Sequence, residues 1–210
     1  DVNRLIDKIV DAGSPVAANR VLAFTKRFFS WCKERDILEL SPAEAIRPPS
    51  KEKIRDRVLT LDEMKNIWAA CKQMGYPWGP IFQLLLLTGA RLREVSQASW
   101  SEVSIADGTL DLPASRTKNK RSHQIQLSDQ AQNIIQALPR VEGQTLLFTT
   151  NGTTAVSGFS KVKKRLDIIS GVADWRFHDL RRSFATHSTE RLGISPVIAD
   201  KILNHVTGQV

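Results

Sequence analysis

The sequence predicts an α+β fold that is mostly helical, with a small three-stranded antiparallel sheet between its helices. Segments with apolar residues at helical spacing cover most of the chain, whereas residues 99–127 largely alternate apolar and polar positions. Apolar residues make up 41% of the 210 residues, which is enough for a substantial core. We therefore expect one medium-sized domain of this class, preceded by part of a helical domain.

Two helices are predicted at the start of the chain, over residues 3–12 and 16–35. The second has an aromatic side, which we expect to face a core because such stripes are usually buried. Its members are Phe24, Phe28, Phe29 and Trp31. Ser41-Pro42-Ala43-Glu44 has the pattern of a further helix start, with a capping serine and a proline in the first turn.

A linker is predicted at residues 48–57, which begin with two prolines and are mostly polar and charged. Residues 1–47 hold too few helices for an independent domain. We interpret them as the C-terminal part of a helical domain, and residues 58–210 as the second domain.

The second domain opens with two helices. Thr60-Leu61-Asp62-Glu63 is a capping box that starts the first. The second, Ile81–Thr88, is apolar nearly all round, which indicates the central buried element of the domain. Gly89 is expected to end it in a left-handed conformation. Arg91, with Glu94 three residues later, is then held at the edge of the core.

Three strands are predicted in the middle of this domain, and Asp107-Gly108 indicates a hairpin between the first two. The strands are Ser99–Ile105, Thr109–Ser115 and Ser122–Leu127. Thr117–Lys120 occupies the turn between the second and the third. Helices follow over residues 129–138, 158–169, 178–191 and 197–204, with a loop at 139–157.

Charge and composition point to a polyanionic partner. The net charge is +8 and the isoelectric point is about 9.8. Basic residues form two clusters: the first is Arg116, Lys118, Lys120 and Arg121, and the second is Lys161, Lys163, Lys164 and Arg165. No stretch approaches the roughly 20 apolar residues of a membrane-spanning helix. We expect no signal peptide, and we interpret Cys32 and Cys71 as reduced cytosolic thiols that pack.

His178 and Arg181 carry the functional prediction. In a helix they are three residues apart and lie on the same face. Both can then bind one phosphate, because arginine offers a planar fork of donors and histidine titrates near neutral pH. Leu180 and Phe184 would anchor the opposite face in a core. The alternative is a surface helix with a basic face, which this pair alone does not exclude.

Together with Arg91, a lysine (Lys118 or Lys120) and His205, this pair makes a candidate site for a phosphodiester. The arginines would neutralise the phosphate oxygens as the phosphorane forms, and the lysine would protonate the leaving oxygen. His178 would accept a proton from the nucleophile, and His205 would donate to a phosphate oxygen.

Other chemistries lack their motifs in this sequence. There is no glycine-rich phosphate loop, no His-Glu-x-x-His, no zinc-spaced Cys/His set and no carboxylate cluster for a two-metal nuclease. We expect attack on a phosphate without a metal or a cofactor.

Four motifs resemble those of the tyrosine site-specific recombinases, in particular phage and genomic-island integrases. Leu87–Glu94 looks like the family's first-arginine box, and His178–Thr186 is very similar to its His-x-x-Arg box. Leu203-Asn204-His205 resembles its final histidine box, with Asn204 where glycine is commonest. Thr117-Lys118 lies at the sheet turn where the family has its lysine. The resemblance covers residues 58–205 in the family's order, and residues 1–47 look like the latter part of its helical core-binding domain.

The resemblance implies roles for these residues. Arg91 and Arg181 would bind the scissile phosphate, and Lys118 would be the general acid for the leaving 5′-hydroxyl, with Lys120 as the alternative because the register of the turn is open. His178 and His205 would assist the nucleophile and the transition state. In the same site, the carboxylate that follows the first arginine, Glu94, would support the two guanidinium groups.

The resemblance also implies partners. The substrate would be double-stranded DNA at an attachment-site core, bound by a homotetramer, with accessory proteins that bend DNA as further partners. The protein would be cytoplasmic in bacteria and associated with the nucleoid when bound. DNA-backbone contacts would come from the two basic clusters: Arg116, Lys120, Arg121, Lys161, Lys163, Lys164 and Arg165.

The family's nucleophile is a tyrosine about two to three helical turns beyond the final histidine. The 210 residues stop before that position, and Tyr76 precedes every motif. We expect these residues to bind DNA without forming the phosphotyrosyl link themselves. Two alternatives remain: a non-catalytic DNA-binding module, and a type IB topoisomerase-like enzyme that relaxes DNA.

Overall fold

The computed structural model describes residues 1–52 and 55–205. Lys53 and Ile54 of the predicted linker, and residues 206–210 at the end of the predicted second domain, lie outside the described residues. The chain divides into two compact units, Asp1–Asp56 and Arg57–Val210. None of the described helices is both long enough and apolar enough to cross a membrane.

The first unit contains helices α1 (Val2–Asp11) and α2 (Pro15–Lys33). Their contact buries Ile6, Ala18 and Leu22. The prediction that the aromatic side of α2 faces a core is wrong for the described residues, since Phe24 is 75% exposed. Phe24 is two residues from Leu22, which places it about 200° round the helix from the buried face.

The predicted helix start at Ser41–Glu44 is a pair of turns in the structure. The amides of Glu44 and Ile46 donate to the carbonyls of Ser41 and Ala43. Two prolines follow at once and favour extended backbone before them, so the helix does not continue.

The second unit is mostly helical. Its helices are α3 (Leu61–Met74), α4 (Trp78–Thr88), α5 (Leu92–Ser96), α6 (Asp129–Gln136), α7 (Phe159–Ser170), α8 (Phe177–Leu192) and α9 (Pro196–Ile202). Helix α4 is central, as predicted: Ile81 and Phe82 are fully buried, and the Phe82 ring stacks on Phe177 of α8 with centroids 5.1 Å apart. The chain thus uses its most apolar helix to fix the start of α8.

Two predicted helix ends are confirmed at the level of hydrogen bonds. The Thr60 hydroxyl accepts from the Glu63 amide at 3.2 Å, and the Glu63 carboxylate accepts from the Thr60 amide at 2.8 Å, which completes the capping box. Gly89 ends α4 in the left-handed region, with φ of 62°. Both signals are local, which explains why the sequence alone predicts them.

The sheet is antiparallel with the order β1-β2-β3, as predicted. Its strands are shorter than the alternation suggested: β1 is Val103–Ser104, β2 is Thr109–Leu112 and β3 is His123–Gln126. Residues 100–102 form a 3-10 turn because the Glu102 carboxylate caps the Ser99 amide at 2.9 Å. Pro113 ends β2, since it has no amide to donate to a ladder.

Gly89 should tolerate a side chain much less well than Gly171. Both have left-handed backbones, which cost an alanine about 1–2 kcal/mol. A Cβ at Gly89 would also lie 2.7 Å from the Phe184 ring and 2.8 Å from Leu203, whereas nothing lies within 4 Å of a Cβ at Gly171. We expect Gly89→Ala to lose about 1–3 kcal/mol more than Gly171→Ala in urea unfolding. Equal losses would contradict this packing.

Candidate active site

Arg91 is placed by the turn that joins α4 to α5. Its backbone caps α5, and its amide donates to the Glu94 carboxylate at 2.8 Å. Its guanidinium donates to the other oxygen of the same carboxylate, with Nη1 and Oε1 2.7 Å apart. Since the Glu94 residue is only 3% exposed, this buried carboxylate fixes both the helix start and the direction of the Arg91 side chain.

Arg181 reaches the same place from α8. The residue is 3% exposed, and its Nη1 donates to the Gly89 carbonyl at 2.9 Å. Its Nη2 donates to the carbonyl of Leu203, at the end of α9. Arg91 donates to the next carbonyl, that of Asn204, at 3.4 Å. The two guanidinium groups therefore meet at the C-terminal end of α9.

The charges at this point are unbalanced. Burial, and then the neighbouring Arg91, lowers the pKa of Arg181 to about 10, so this guanidinium stays charged at neutral pH. One buried carboxylate, Glu94, forms an ion pair with Arg91. Among the described residues, the Nε of Arg181 is buried and has no hydrogen-bond partner. A buried cation with an unused donor is suited to an anion.

A cavity of about 520 Å³ opens beside this pair. Seven ionisable residues are among those that line it: Arg91, Arg93, Glu94, Arg116, Lys118, His178 and Arg181. The structure thus brings together four of the five predicted catalytic residues, from α5, α8 and the β2–β3 connection. Apart from Glu94, the ionisable residues that line the cavity carry cationic or imidazole side chains.

The surroundings of His178 disfavour the protonated form of its imidazole. Partial burial, and then the charges of Arg181 and Arg182, lowers the pKa of the imidazole below its ordinary value of 6.5. His205 contributes to the same effect, so it lies near His178, although its own Nδ1 contacts Asp200 at 2.8 Å. A neutral His178 can accept a proton, which is the state that a general base requires.

Lys118 faces the cavity from the turn between β2 and β3. The Thr117 hydroxyl shapes this turn: it donates to the Arg121 carbonyl at 2.6 Å and accepts from the Arg121 amide at 3.1 Å. Lys120 is exposed, has φ of 55° and is not among the residues that line the cavity. The geometry therefore favours Lys118 over Lys120 as the residue that reaches a bound phosphate.

Residues 57–209 match the Phage integrase family. The chain belongs to this family. The predicted membership of the tyrosine recombinases is thus confirmed.

Known proteins agree with this assignment. The chain is 27% identical over 202 residues to the shufflon-specific DNA recombinase of Escherichia coli, covering 91% of this chain and 50% of that recombinase. It therefore spans about half the length of this curated relative. Its fold is similar to a lambda integrase dimer bound to a COC′ core site, with a TM-score of 0.77, 18% identity, and coverage of 99% of this chain and 61% of that one. It is also similar to a lambda integrase tetramer bound to a Holliday junction, with a TM-score of 0.78, 19% identity, and coverage of 99% and 64%.

Tyr76 has a structural contact in this family member. Its hydroxyl donates to the Leu147 carbonyl at 3.2 Å and accepts from the Thr149 amide at 3.1 Å. It is not among the residues that line the cavity. The tyrosine thus ties the loop after α6 to the start of α4.

The second basic cluster lies on α7 and is divided by its contacts. Lys161, Lys164 and Arg165 are exposed. Lys163 is instead paired with Asp167, and its ammonium lies 3.8 Å from the centre of the Trp175 ring. Three of the four predicted DNA contacts on this helix are therefore open to a partner, whereas Lys163 packs against the protein.

Arg116, from the first basic cluster, is also engaged internally. It forms an ion pair with Glu102, and its Nη2 donates to the carbonyls of Arg93 at 3.2 Å and Glu94 at 2.9 Å. It thereby closes the C-terminal end of the short helix α5 that carries Glu94. The clustering of basic residues in sequence gave no signal of this role.

His123 is closer to the site than the sequence indicated. It belongs to the predicted strand Ser122–Leu127, but in the structure its imidazole also lies near the Ile202 backbone and near Glu94, Arg181 and Arg91. Partial burial lowers its pKa. In the described part of the chain, no group of three or more His, Cys, Asp or Glu side chains is placed to hold a metal ion.

The pKa of His178 should report directly on the site. We expect the imidazole to titrate below 6.5 in NMR spectra of the protein, and Arg182→Gln to raise its pKa because a neighbouring cation is removed. Inorganic phosphate should raise it further, since an anion in the cavity favours the protonated ring. Arg191→Gln, three turns along α8, is the control and should leave the titration unchanged. A pKa at or above 6.5 in the free protein would contradict the arrangement.

Proposed function

We propose that this chain is the DNA-binding and catalytic part of an integrase that cleaves and rejoins DNA at specific sites. The convergence of Arg91 and Arg181 on adjacent carbonyls carries the proposal, because it places two guanidinium groups at one edge of a cavity. The substrate is double-stranded DNA at an attachment-site core. Membership of the Phage integrase family supports this choice over other phosphodiesters.

The residues divide the work of phosphoryl transfer. Arg91 and Arg181 neutralise the non-bridging oxygens as the phosphorane forms. Neutral His178 accepts the proton of the attacking hydroxyl. Lys118 gives its proton to the 5′-oxygen as the bond from phosphorus to that oxygen breaks. His205 donates to a phosphate oxygen, and no metal takes part.

The nucleophile is a tyrosine other than Tyr76. The Tyr76 hydroxyl is held between the Leu147 carbonyl and the Thr149 amide, and it does not line the cavity. We propose that residues 1–210 bind the DNA and hold the scissile phosphate, and that they do not form the covalent 3′-phosphotyrosyl bond on their own.

The proposal extends to the domains of the chain and to the oligomer of the intact enzyme. Residues 1–47 act as the latter part of a core-binding domain, residues 48–57 as the linker and residues 58–210 as the catalytic domain. The intact enzyme works as a homotetramer on DNA, as supported by the similar fold of a lambda integrase tetramer on a Holliday junction. The exposed cations of α7, Lys161, Lys164 and Arg165, contact the phosphate backbone.

DNA binding by residues 1–210 should depend steeply on salt. Each phosphate contact releases a counterion, so log K should fall with log salt by about 0.9 per contact. We expect Lys164→Gln with Arg165→Gln to weaken binding and reduce this slope in fluorescence anisotropy. Lys72→Gln, an exposed change on α3, is the matched control. Affinity that does not respond to salt would remove DNA as the partner.

Arg181 should matter for cleavage far more than for binding. In the complete gene product, Arg181→Ala is expected to lower the rate of single-turnover cleavage of a nicked DNA by about a hundredfold or more. Binding should change little, because backbone contacts are spread over many residues. Arg181→Lys keeps the charge but not the planar fork of donors. If its melting temperature is that of the unsubstituted protein, slow cleavage reflects lost chemistry and not lost folding. Unchanged cleavage in either folded variant would refute the assignment of the phosphate site.

A further inference from the structure

Two asparagines far apart in the chain bind each other at the edge of the cavity. Asn119, in the β2–β3 turn, donates from Nδ2 to Oδ1 of Asn204 at 2.6 Å and to the Asn204 carbonyl at 3.4 Å. The Nδ2 of Asn204 lies 3.4 Å from Oδ1 of Asn119, which completes a reciprocal pair. The pair joins the residue next to Lys118 to the residue next to His205.

The side chain of Asn204 is not needed for the backbone there. Asn204 has φ of 50°, in the left-handed region that follows a helix end, where glycine costs least and asparagine is tolerated. Glycine would satisfy the backbone and leave its carbonyl free to accept from Arg91. What asparagine adds at this position is the amide that bonds to Asn119.

The turn that carries Lys118 has few other attachments. Inside the turn, the Asn119 side chain accepts from the Arg121 amide at 3.3 Å, and Lys120 donates to the Thr117 carbonyl at 3.3 Å. In the part of the chain that the structure describes, the hydrogen bonds that leave the turn from residues 118–120 all end on Asn204. Without these bonds, residues 118–120, including the exposed Lys118, would have hydrogen bonds only within their own turn.

We propose that the Asn119–Asn204 pair is a latch that holds the Lys118 turn against the end of α9 and so positions Lys118 for proton transfer. Arg91 donates to the same Asn204 carbonyl, so the latch sets the lysine relative to the arginine that binds the phosphate. Asn119 and Asn204 are positioning residues that act through Lys118. The inference rests on the proposed function for its chemical meaning, but the latch itself can be tested without DNA.

Hydrogen–deuterium exchange of residues 1–210 tests the latch. Asn119→Ala and Asn204→Gly should each speed exchange of the turn amides about fivefold, the factor expected for one net hydrogen bond. The double variant should be no faster than either single one. Asn204→Asp keeps the side-chain oxygen that accepts from Asn119, and aspartate tolerates the left-handed backbone, so exchange should stay slow in this variant. Asn133→Ala, on the exposed face of α6, is the neutral control. Unchanged exchange in Asn204→Gly would overturn the latch.

Cleavage by the complete gene product tests the positioning of Lys118. With ordinary DNA, Asn119→Ala should cleave about tenfold more slowly at unchanged affinity, because proton donation by a positioned group contributes about a hundredfold or more. A DNA with sulfur in place of the 5′-bridging oxygen releases a thiolate, which needs no proton because a thiol pKa is only about 8.5. Its cleavage should be equally fast in the unsubstituted protein and in Asn119→Ala. Arg181→Ala, which affects charge rather than proton donation, should stay slow with both substrates.

The two proposals can fail separately. A slow Asn119→Ala that the sulfur substrate does not rescue would overturn positioning of the acid, even if exchange shows the latch. An unsubstituted protein that cleaves neither substrate would overturn the proposed function and the purpose of the latch together, while the exchange measurements would still show whether the latch forms.

Discussion

The structure depends on the way in which Arg181 is buried. Its guanidinium donates to the carbonyls of Gly89 and Leu203, so one cation joins α8 to the end of α4 and to the end of α9. Both carbonyls belong to helix ends, where the partial negative charge of the helix is concentrated and where backbone acceptors lack partners. The protein thus satisfies a buried charge with its own backbone and leaves the Arg181 Nε, among the described residues, without a hydrogen-bond partner.

The same arrangement has an electrostatic consequence for the proposed phosphate site. Arg91 lies close enough to Arg181 to lower the pKa of that guanidinium, and Glu94 forms its ion pair with Arg91. A phosphate that enters the cavity relieves this repulsion. Because the groups are already held by Glu94, Gly89 and the end of α9, little reorganisation accompanies binding, which is the condition under which electrostatic stabilisation is most effective.

The parts of the fold that the sequence predicted are those set by neighbouring residues. The capping box at Thr60 and Glu63, the left-handed Gly89 and the hairpin at Gly108 each depend on residues a few positions apart. The aromatic side of α2 was predicted wrongly because exposure depends on what packs there, which periodicity does not specify. The strand β1 was predicted too long because the contact of Glu102 with the Ser99 amide outweighs the alternation of side chains.

In the candidate site too, local motifs were predictable from the sequence, whereas contacts between distant segments were not. The motifs predicted that Arg91, Lys118, His178 and Arg181 meet, and the structure brings them to one cavity. The contacts of Arg116, His123 and Asn119 were missed because each involves segments distant in the chain. A cluster of basic residues looks the same in sequence whether its side chains are exposed or bonded to the protein. The structure shows that Arg116 is bonded internally, whereas Arg121 is exposed.

Glu94 has a further consequence for how this protein can vary. One carboxylate begins α5 through the Arg91 amide and neutralises the Arg91 guanidinium. An exchange for glutamine would weaken the helix start and alter the charge of the site in a single step. Substitution of Glu94 is therefore constrained in two ways. The charge at this site can change without disturbing the start of α5 only through other residues.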